Sequence, residues 1–186
     1  NSTIPALGPA PSTSQMASDS SIKPQEATTT PPILFYKRQE PYYEFSNFSD
    51  HAVVIDGLTW PTTEHFFQGA KFVDEEVRKK IRTADGPGKA FKLGRNPGYK
   101  SKMRTDWDDY RLEAMRIAVR AKFTQHKDLR ALLLGTGSAE IIEDSPVDAY
   151  WGVGADGTGK NHLGKLLMAL RAELVAEDAS QAPASS

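Results

Sequence analysis

The chain has 186 residues, 23 Lys and Arg against 24 Asp and Glu for a formal net charge of −1, 39% hydrophobic residues and no cysteine. That length carries one domain of ordinary size, and the absence of cysteine excludes disulfides, a thiolate nucleophile and thiolate zinc sites. The longest aliphatic run, Ala131 to Leu134, falls far short of the roughly 20 residues of a membrane helix, and balanced charge argues against a uniformly basic polyanion binder.

Residues 1–32 are more than half Ser, Thr or Pro, with Ile4, Leu7, Met16 and Ile22 the only sizeable apolar groups. Such a segment cannot bury enough surface to offset its ordering entropy, so a disordered tail is expected. It lacks the basic start and apolar stretch of a secretory signal. The chain begins at Asn1, so targeting stays open, with cytoplasm or nucleus the expected compartment. Ile33 to Tyr36 is a strand candidate, and Ala52 to Trp60 reads as a hairpin turning at Asp56-Gly57. Pro61-Thr62-Thr63 carries helix-start chemistry for a helix to Phe72. Asp74 to Thr83 and Gly88 to Leu93 are short helices. Thr105 or Asp106 caps a long helix to about Thr124, with Tyr110, Ala114, Ile117, Ala118 and Ala121 at helical spacing. Asp128 to Leu134 is helical, Glu140 to Glu143 a strand, and Leu163, Leu166, Leu167, Leu170 and Leu174 mark a final amphipathic helix. The fold class is therefore α+β, helix-rich, with a single domain of several helices around a small β-sheet with a hairpin. Its expected bounds are 33–178, followed by a C-terminal tail over 179–186.

Three clusters carry possible chemistry. On a helix starting near Pro61, Glu64, Gln68 and Lys71 project from one face while Phe67 and Ala70 lie on another. This stripe is either an acid–amide–amine site, or a first-turn acid favoured by the helix dipole plus a solvent-facing lysine. The second cluster, Asp148 to Asn161, contains Gly152, Gly154, Gly157 and Gly159. It matches G-x-G-x-x-G by letter without a following βαβ unit. It also approaches a P-loop, with Asn161 where Ser or Thr would hold magnesium. What remains is either a loop whose exposed N–H groups suit a phosphate or a plain loop leading into a helix at Asn161.

The third cluster is electrostatic. Arg78, Lys79, Lys80, Arg82, Lys89, Lys92, Arg95, Lys100, Lys102 and Arg104 share a stretch whose only acid is Asp85. Trp107 follows directly, a stacking surface beside phosphate-seeking cations or else a core residue. His51, His65, His126 and His162 show no metal-ligand spacing, and no G-x-S-x-G elbow is present. No metal or other cofactor is expected.

Phe35-Tyr36, Glu44-Phe45-Ser46-Asn47-Phe48, Trp60-Pro61-Thr62-Thr63-Glu64-His65-Phe66-Phe67-Gln68 with Lys71-Phe72, Gly94-Arg95, Arg104 with Trp107, and Asp148-Ala149-Tyr150-Trp151-Gly152 with Gly159-Lys160-Asn161 together resemble the YbiA-like N-glycosidases, or NADAR family. The likeness covers roughly Ile33 to Ala176. Thr63 stands where some relatives carry Ser, which keeps the hydroxyl, and Val153 where some carry Asp, a change expected to bear on substrate contacts. The resemblance implies cleavage of an N-glycosidic bond, either in phosphorylated ribosylamino-pyrimidine riboflavin intermediates or in ADP-ribose attached to guanine. It implies Glu64 as principal catalytic carboxylate and Asp148 as a further catalytic residue, which with Trp107 and Trp151 holds base or sugar. Arg95, Arg104 and the glycine loop through Lys160 and Asn161 would meet phosphate. Tyr36, Ser46, Asn47, Phe48, Gln68, Tyr150 and Gly152 complete the implied substrate site.

A sharper expectation is that the Lys71 amine attacks the anomeric carbon and forms a Schiff base. The expected substrate is an ADP-ribosylated guanine nucleotide or nucleic acid, and ADP-ribose the product, with the long tail and basic stretch suiting a polymer. The alternatives are the riboflavin intermediate, a non-catalytic ADP-ribose-binding module, and a nucleic-acid adaptor using the basic stretch.

Overall fold

The computed structural model describes residues 30–182. The expected disordered tail therefore lies almost wholly outside the described residues, as do the last four residues of the chain. Four short strands and six α-helices follow in chain order: β1 (Ile33–Phe35), β2 (Val53–Ile55), β3 (Leu58–Trp60), α1 (Thr63–Gly69), α2 (Glu75–Arg82), α3 (Pro87–Gly94), α4 (Trp107–Gln125), α5 (Lys127–Gly135), β4 (Ile141–Glu143) and α6 (His162–Gln181). Short 3-10 turns at Tyr43–Phe45 and Pro97–Lys102 fill stretches with no predicted element. The fold is α+β and helix-rich, as the pattern indicates. The β-structure, however, is two separate two-stranded ribbons: β1 runs parallel to β4, with Phe35 opposite Glu143, and β2 pairs antiparallel with β3. The hairpin turns as expected, because Asp56 and Gly57 both take left-handed φ, at 52° and 73°, the conformation a tight two-residue hairpin requires.

α1 is the central helix, and every one of its residues is buried. Thr62 caps it, its hydroxyl accepting from the His65 N–H. The His65 ring bridges Thr62 Oγ1 and the Ala84 carbonyl, which makes it a structural histidine. The helix stops at Gly69, three residues before the predicted end. Beyond it the chain pairs with a distant segment: Phe72 bridges Met103, and the Arg104 N–H donates to the Lys71 carbonyl at 2.8 Å. Gly69 also lets the Trp60 ring approach to where a Cβ would stand 2.6 Å from it.

Asp74 caps α2 by accepting from the Val77 N–H. Asp106 holds the corresponding place on α4 but makes no cap bond, because both its oxygens are taken by the Arg104 guanidinium at 2.6 and 3.0 Å. α6 continues to Gln181, past the expected domain end at 178. The main core lies between α4, α6 and the β1–β4 ribbon, where Phe35, Phe45, Phe123, Leu133, Ile141, Leu163, Leu167 and Leu174 are essentially inaccessible. Each such side chain contributes about 1.5–3 kcal/mol of burial. Lys122 is also buried there; its ammonium donates to the Ser46 carbonyl at 2.8 Å and to Ser49 Oγ. It thereby fixes the loop that leads to Asn47, and burial pulls its pKa down to about 7.

Candidate active site

The fold closes α1, the 46–48 loop, the end of α3, the first turns of α4, the end of β4 and the 148–151 turn around a cavity of about 260 Å³. This inner chamber opens into an outer one of about 800 Å³, edged by Tyr36, Arg38, Tyr43 and Tyr150. Ser46, Phe48, Phe91, Arg95, Arg111, Glu143, Asp148 and Trp151 line both and so form the passage between them.

Glu64 sits at the floor, 5% exposed. Its N–H donates to the Asn47 carbonyl at 3.1 Å, and the Thr63 hydroxyl donates to Asn47 Oδ1 at 2.9 Å, which ties α1 to the 46–48 loop. One turn along the helix, Gln68 Nε2 donates to Glu64 Oε1 at 2.7 Å. Burial raises the Glu64 pKa to about 7, against the opposing pull of that hydrogen bond and of the Lys71 and Arg95 charges. Lys71 comes from the segment after α1, not from the helix, yet its ammonium still enters the cavity. It lies 5.8 Å from the ring centroids of both Phe67 and Trp107. Burial and the Arg95 charge bring its pKa down to about 8, while Glu64 opposes the fall. A largely desolvated acid and amine thus face one chamber, each poised near neutrality, where acid–base and nucleophilic work is efficient.

Two arginines complete the charge pattern. The Arg95 guanidinium lies 4.1 Å from the Phe91 ring centroid, and that of Arg111 lies 4.0 Å from the Tyr150 centroid. Asp148 shapes the opposite wall: its Oδ1 accepts the N–H groups of Tyr150 and Trp151 at 2.8 and 2.7 Å. That turn aims Trp151 edge-on at Phe67.

Of the residues singled out from the sequence, Ser46, Asn47, Phe48, Glu64, Gln68, Lys71, Arg95, Trp107, Asp148 and Trp151 meet in the inner chamber, and Tyr36 and Tyr150 line the outer one. Trp107 is both core and wall. Arg104 is not brought in: it forks onto Asp106 and stacks 3.5 Å from the Tyr110 centroid. Nor does the glycine loop reach the cavity: no residue from Gly152 to Asn161 lines either chamber. The N–H groups of Val153, Gly157, Gly159, Lys160, Asn161, His162 and Leu163 all donate to backbone carbonyls, and that of Thr158 donates to Asp156. Asn161 is an internal bracket, its side chain bonding the Glu143 N–H and the Ile141 carbonyl. Lys160 lies over the Tyr150 ring, 5.4 Å from its centroid, outside both linings. Gly152 is buried behind the wall.

Sequence reasoning missed Arg111, Phe67, Phe91, Met115 and Glu143 as site residues. Arg111 and Met115 follow Trp107 at four-residue steps on α4, a helical spacing that marks one face. Glu143 had a weaker signal, an acid ending an apolar strand. Among the described residues, no group of three or more His, Asp or Glu side chains is disposed to hold a metal ion, and no helix is long and apolar enough to cross a membrane.

Known proteins resemble this one in sequence and fold over most of its length. The NADAR domain family matches residues 34–175. N-glycosidase YbiA of Shigella boydii serotype 4 is 49% identical over 146 residues, 78% of this chain and 89% of that protein. A riboflavin biosynthesis protein of Vibrio vulnificus is 42% identical over 143 residues, 77% of this chain and 38% of its own length. The NMR structure of the Escherichia coli protein YbiA superposes with a TM-score of 0.76 at 43% identity, covering 88% of this chain and 96% of that one. With a family match over residues 34–175, a relative of 49% identity and a solved structure of the same architecture, the chain belongs to the NADAR family.

Proposed function

We propose that this protein is an N-glycosidase that removes ADP-ribose from ADP-ribosylated guanine in nucleic acid, with Glu64 and Lys71 at the reacting carbon. N-glycosidase chemistry is the activity named for its relatives at 49% identity. The observation that carries the assignment here is the meeting of the buried Glu64 carboxyl and the depressed-pKa Lys71 amine in one aromatic-walled chamber. Cleavage develops positive charge at the anomeric carbon, which a facing carboxylate stabilises in a low-dielectric site. The free Lys71 amine attacks that carbon, the C1′–N bond breaks with its electron pair going to the base, and the base leaves with a proton. The ring then opens to a Schiff base that water hydrolyses, returning the amine and releasing ADP-ribose. Asp148, Trp107 and Trp151 hold sugar and base.

Arg95 and Arg111 supply the phosphate contacts, replacing the expected Arg104 and glycine loop. The choice of a nucleic acid is favoured by the wide outer chamber and by Lys79, Lys80, Lys89, Lys92 and Lys100, all exposed on or beside α2 and α3. The second reading, a phosphorylated ribosylamino-pyrimidine, is favoured by the name of the Vibrio relative. Incubating the protein with ADP-ribosylated DNA, with ADP-ribosylated RNA and with the ribosylamino-pyrimidine phosphate, and measuring released base, separates these readings. Base release from the pyrimidine substrate alone would overturn the first.

A further inference from the structure

Glu143 takes no part in the steps above, yet its backbone is pinned from two sides. Its N–H donates to Asn161 Oδ1 at 3.0 Å, its carbonyl accepts from the Val153 N–H at 3.0 Å, and the residue ends the β4 strand opposite Phe35. The side chain is therefore projected from a fixed point into the passage between the two chambers.

The three carboxyl groups of the cavity are not equivalent. Glu64 accepts from the Gln68 amide, and Asp148 accepts two backbone N–H groups, contacts that suit a carboxylate. Glu143 Oε2 is fully buried and meets no hydrogen-bond partner among the described residues. An oxygen with no donor pointed at it, buried away from the water that would stabilise a negative charge, favours the protonated carboxyl. Burial, reinforced by the charges of Asp148 and Glu64, pushes the Glu143 pKa up to about 8, so the proton is retained at neutral pH.

Position agrees with protonation. Glu64, Lys71, Phe67 and Trp107 line only the inner chamber, whereas Glu143 lines both, beside Phe48, Phe91 and Trp151. A ribose whose anomeric carbon faces Glu64 and Lys71 directs its base into that aromatic passage, where Glu143 waits.

We propose that Glu143 is the general acid of this site, protonating the nitrogen of the departing base. The proposal rests on the N-glycosidase reading above. As the C1′–N bond breaks, its electron pair passes to the base nitrogen, which takes the Glu143 proton, while the Lys71 amine forms the new bond to C1′. Glu143, now a carboxylate, recovers a proton from the water that hydrolyses the Schiff base.

The test compares two leaving groups at the same carbon in the full chain: a ribosyl phosphate N-linked to a purine or pyrimidine base, and a ribose 5-phosphate bearing 4-nitrophenolate, which departs without a proton. Wild-type protein is measured first, and failure to release base from any N-linked substrate refutes the N-glycosidase reading itself. With wild-type activity in hand, Glu143→Gln is expected to lower kcat on the N-linked base by about 10²–10⁴-fold with KM little changed, and to leave nitrophenolate release within about 5-fold. Glu64→Gln is expected to suppress both. In Glu143→Ala, added imidazole, whose conjugate acid donates a proton near neutral pH, is expected to restore base release in a concentration-dependent way, a readout that a purely structural role would not give. Equal losses on both leaving groups in Glu143→Gln, or wild-type turnover of the N-linked substrate, would overturn the assignment.

Discussion

A Cβ on Gly152 would stand 2.6 Å from the carbonyl oxygen of Glu143 and 3.0 Å from that of Asp148. The glycine lets the 148–151 turn lie directly against the end of β4, which is how two acids from separate segments come to share one cavity. Gly152→Ala therefore has to push β4 and the turn apart. The expected result is a loss of about 1–3 kcal/mol of stability in urea unfolding, the range for forced overpacking, with turnover reduced further than stability alone explains. A variant as stable and as active as wild type would show that the close approach is dispensable.

For Glu64 the folded-state pKa of about 7 lies above its ordinary value of 4.5. A carboxyl shifted upward contributes its full stability below about pH 4.5 and loses it as pH rises through about 7. The isosteric Glu64→Gln should accordingly be more stable than wild type at pH 8, by roughly 3 kcal/mol at about 1.4 kcal/mol per pKa unit, with the gain gone at pH 4.5. Turnover should fall by about 10³-fold or more, the scale of losing a preorganised charge at a developing cation, while ADP-ribose binding measured by calorimetry persists. Undiminished turnover would remove Glu64 from the reacting carbon.

Lys71 must be neutral to attack, and its pKa of about 8 means that the reactive fraction grows as pH rises from 7 to 8. Borohydride added during turnover should attach the sugar irreversibly to Lys71, visible as a mass shift on the peptide containing it. Lys71→Ala should abolish trapping and most activity. Full activity without trapping would leave water as the direct nucleophile.

Arg111 and Arg104 offer a contrast between structure and sequence. Arg111→Ala should raise KM for a phosphorylated substrate by about 10-fold or more, as expected for loss of a charge-assisted contact worth roughly 1.5–3 kcal/mol. Arg104→Ala, which removes the pair with Asp106 and the stacking on Tyr110, should leave KM within about 2-fold, because Arg104 lines neither chamber. The opposite ordering would restore Arg104 to the phosphate site.

Local signals were legible wherever the cause was local. Asp56-Gly57 turns the hairpin because those two residue types tolerate left-handed backbone, and Leu163, Leu167, Leu170 and Leu174 bury one side of α6 because their spacing follows the helical turn. The end of α1 was not legible, since it depends on Phe72 meeting Met103 and on Lys71 meeting Arg104, partners about thirty residues away. The glycine loop was ambiguous for a related reason: glycine spacing reveals that a backbone can approach something closely without saying what, and here Gly159 lies against the chain itself at Gly152 and Val153.

What the sequence determined by itself is the list of chemical groups and the helices that carry many of them: an acid and an amide four residues apart at the start of a capped helix, an aromatic and arginine-bearing α4, and the family to which these motifs belong. Tertiary structure alone decided which charges face the cavity and in what state. It admitted Arg111 and turned Arg104 onto Asp106, and it set Glu143 beside Glu64 and Asp148. It also desolvated Glu64 and Lys71 enough to bring both toward neutrality. A pKa responds to burial and to charges close in space, and neither is a property of neighbours along the chain.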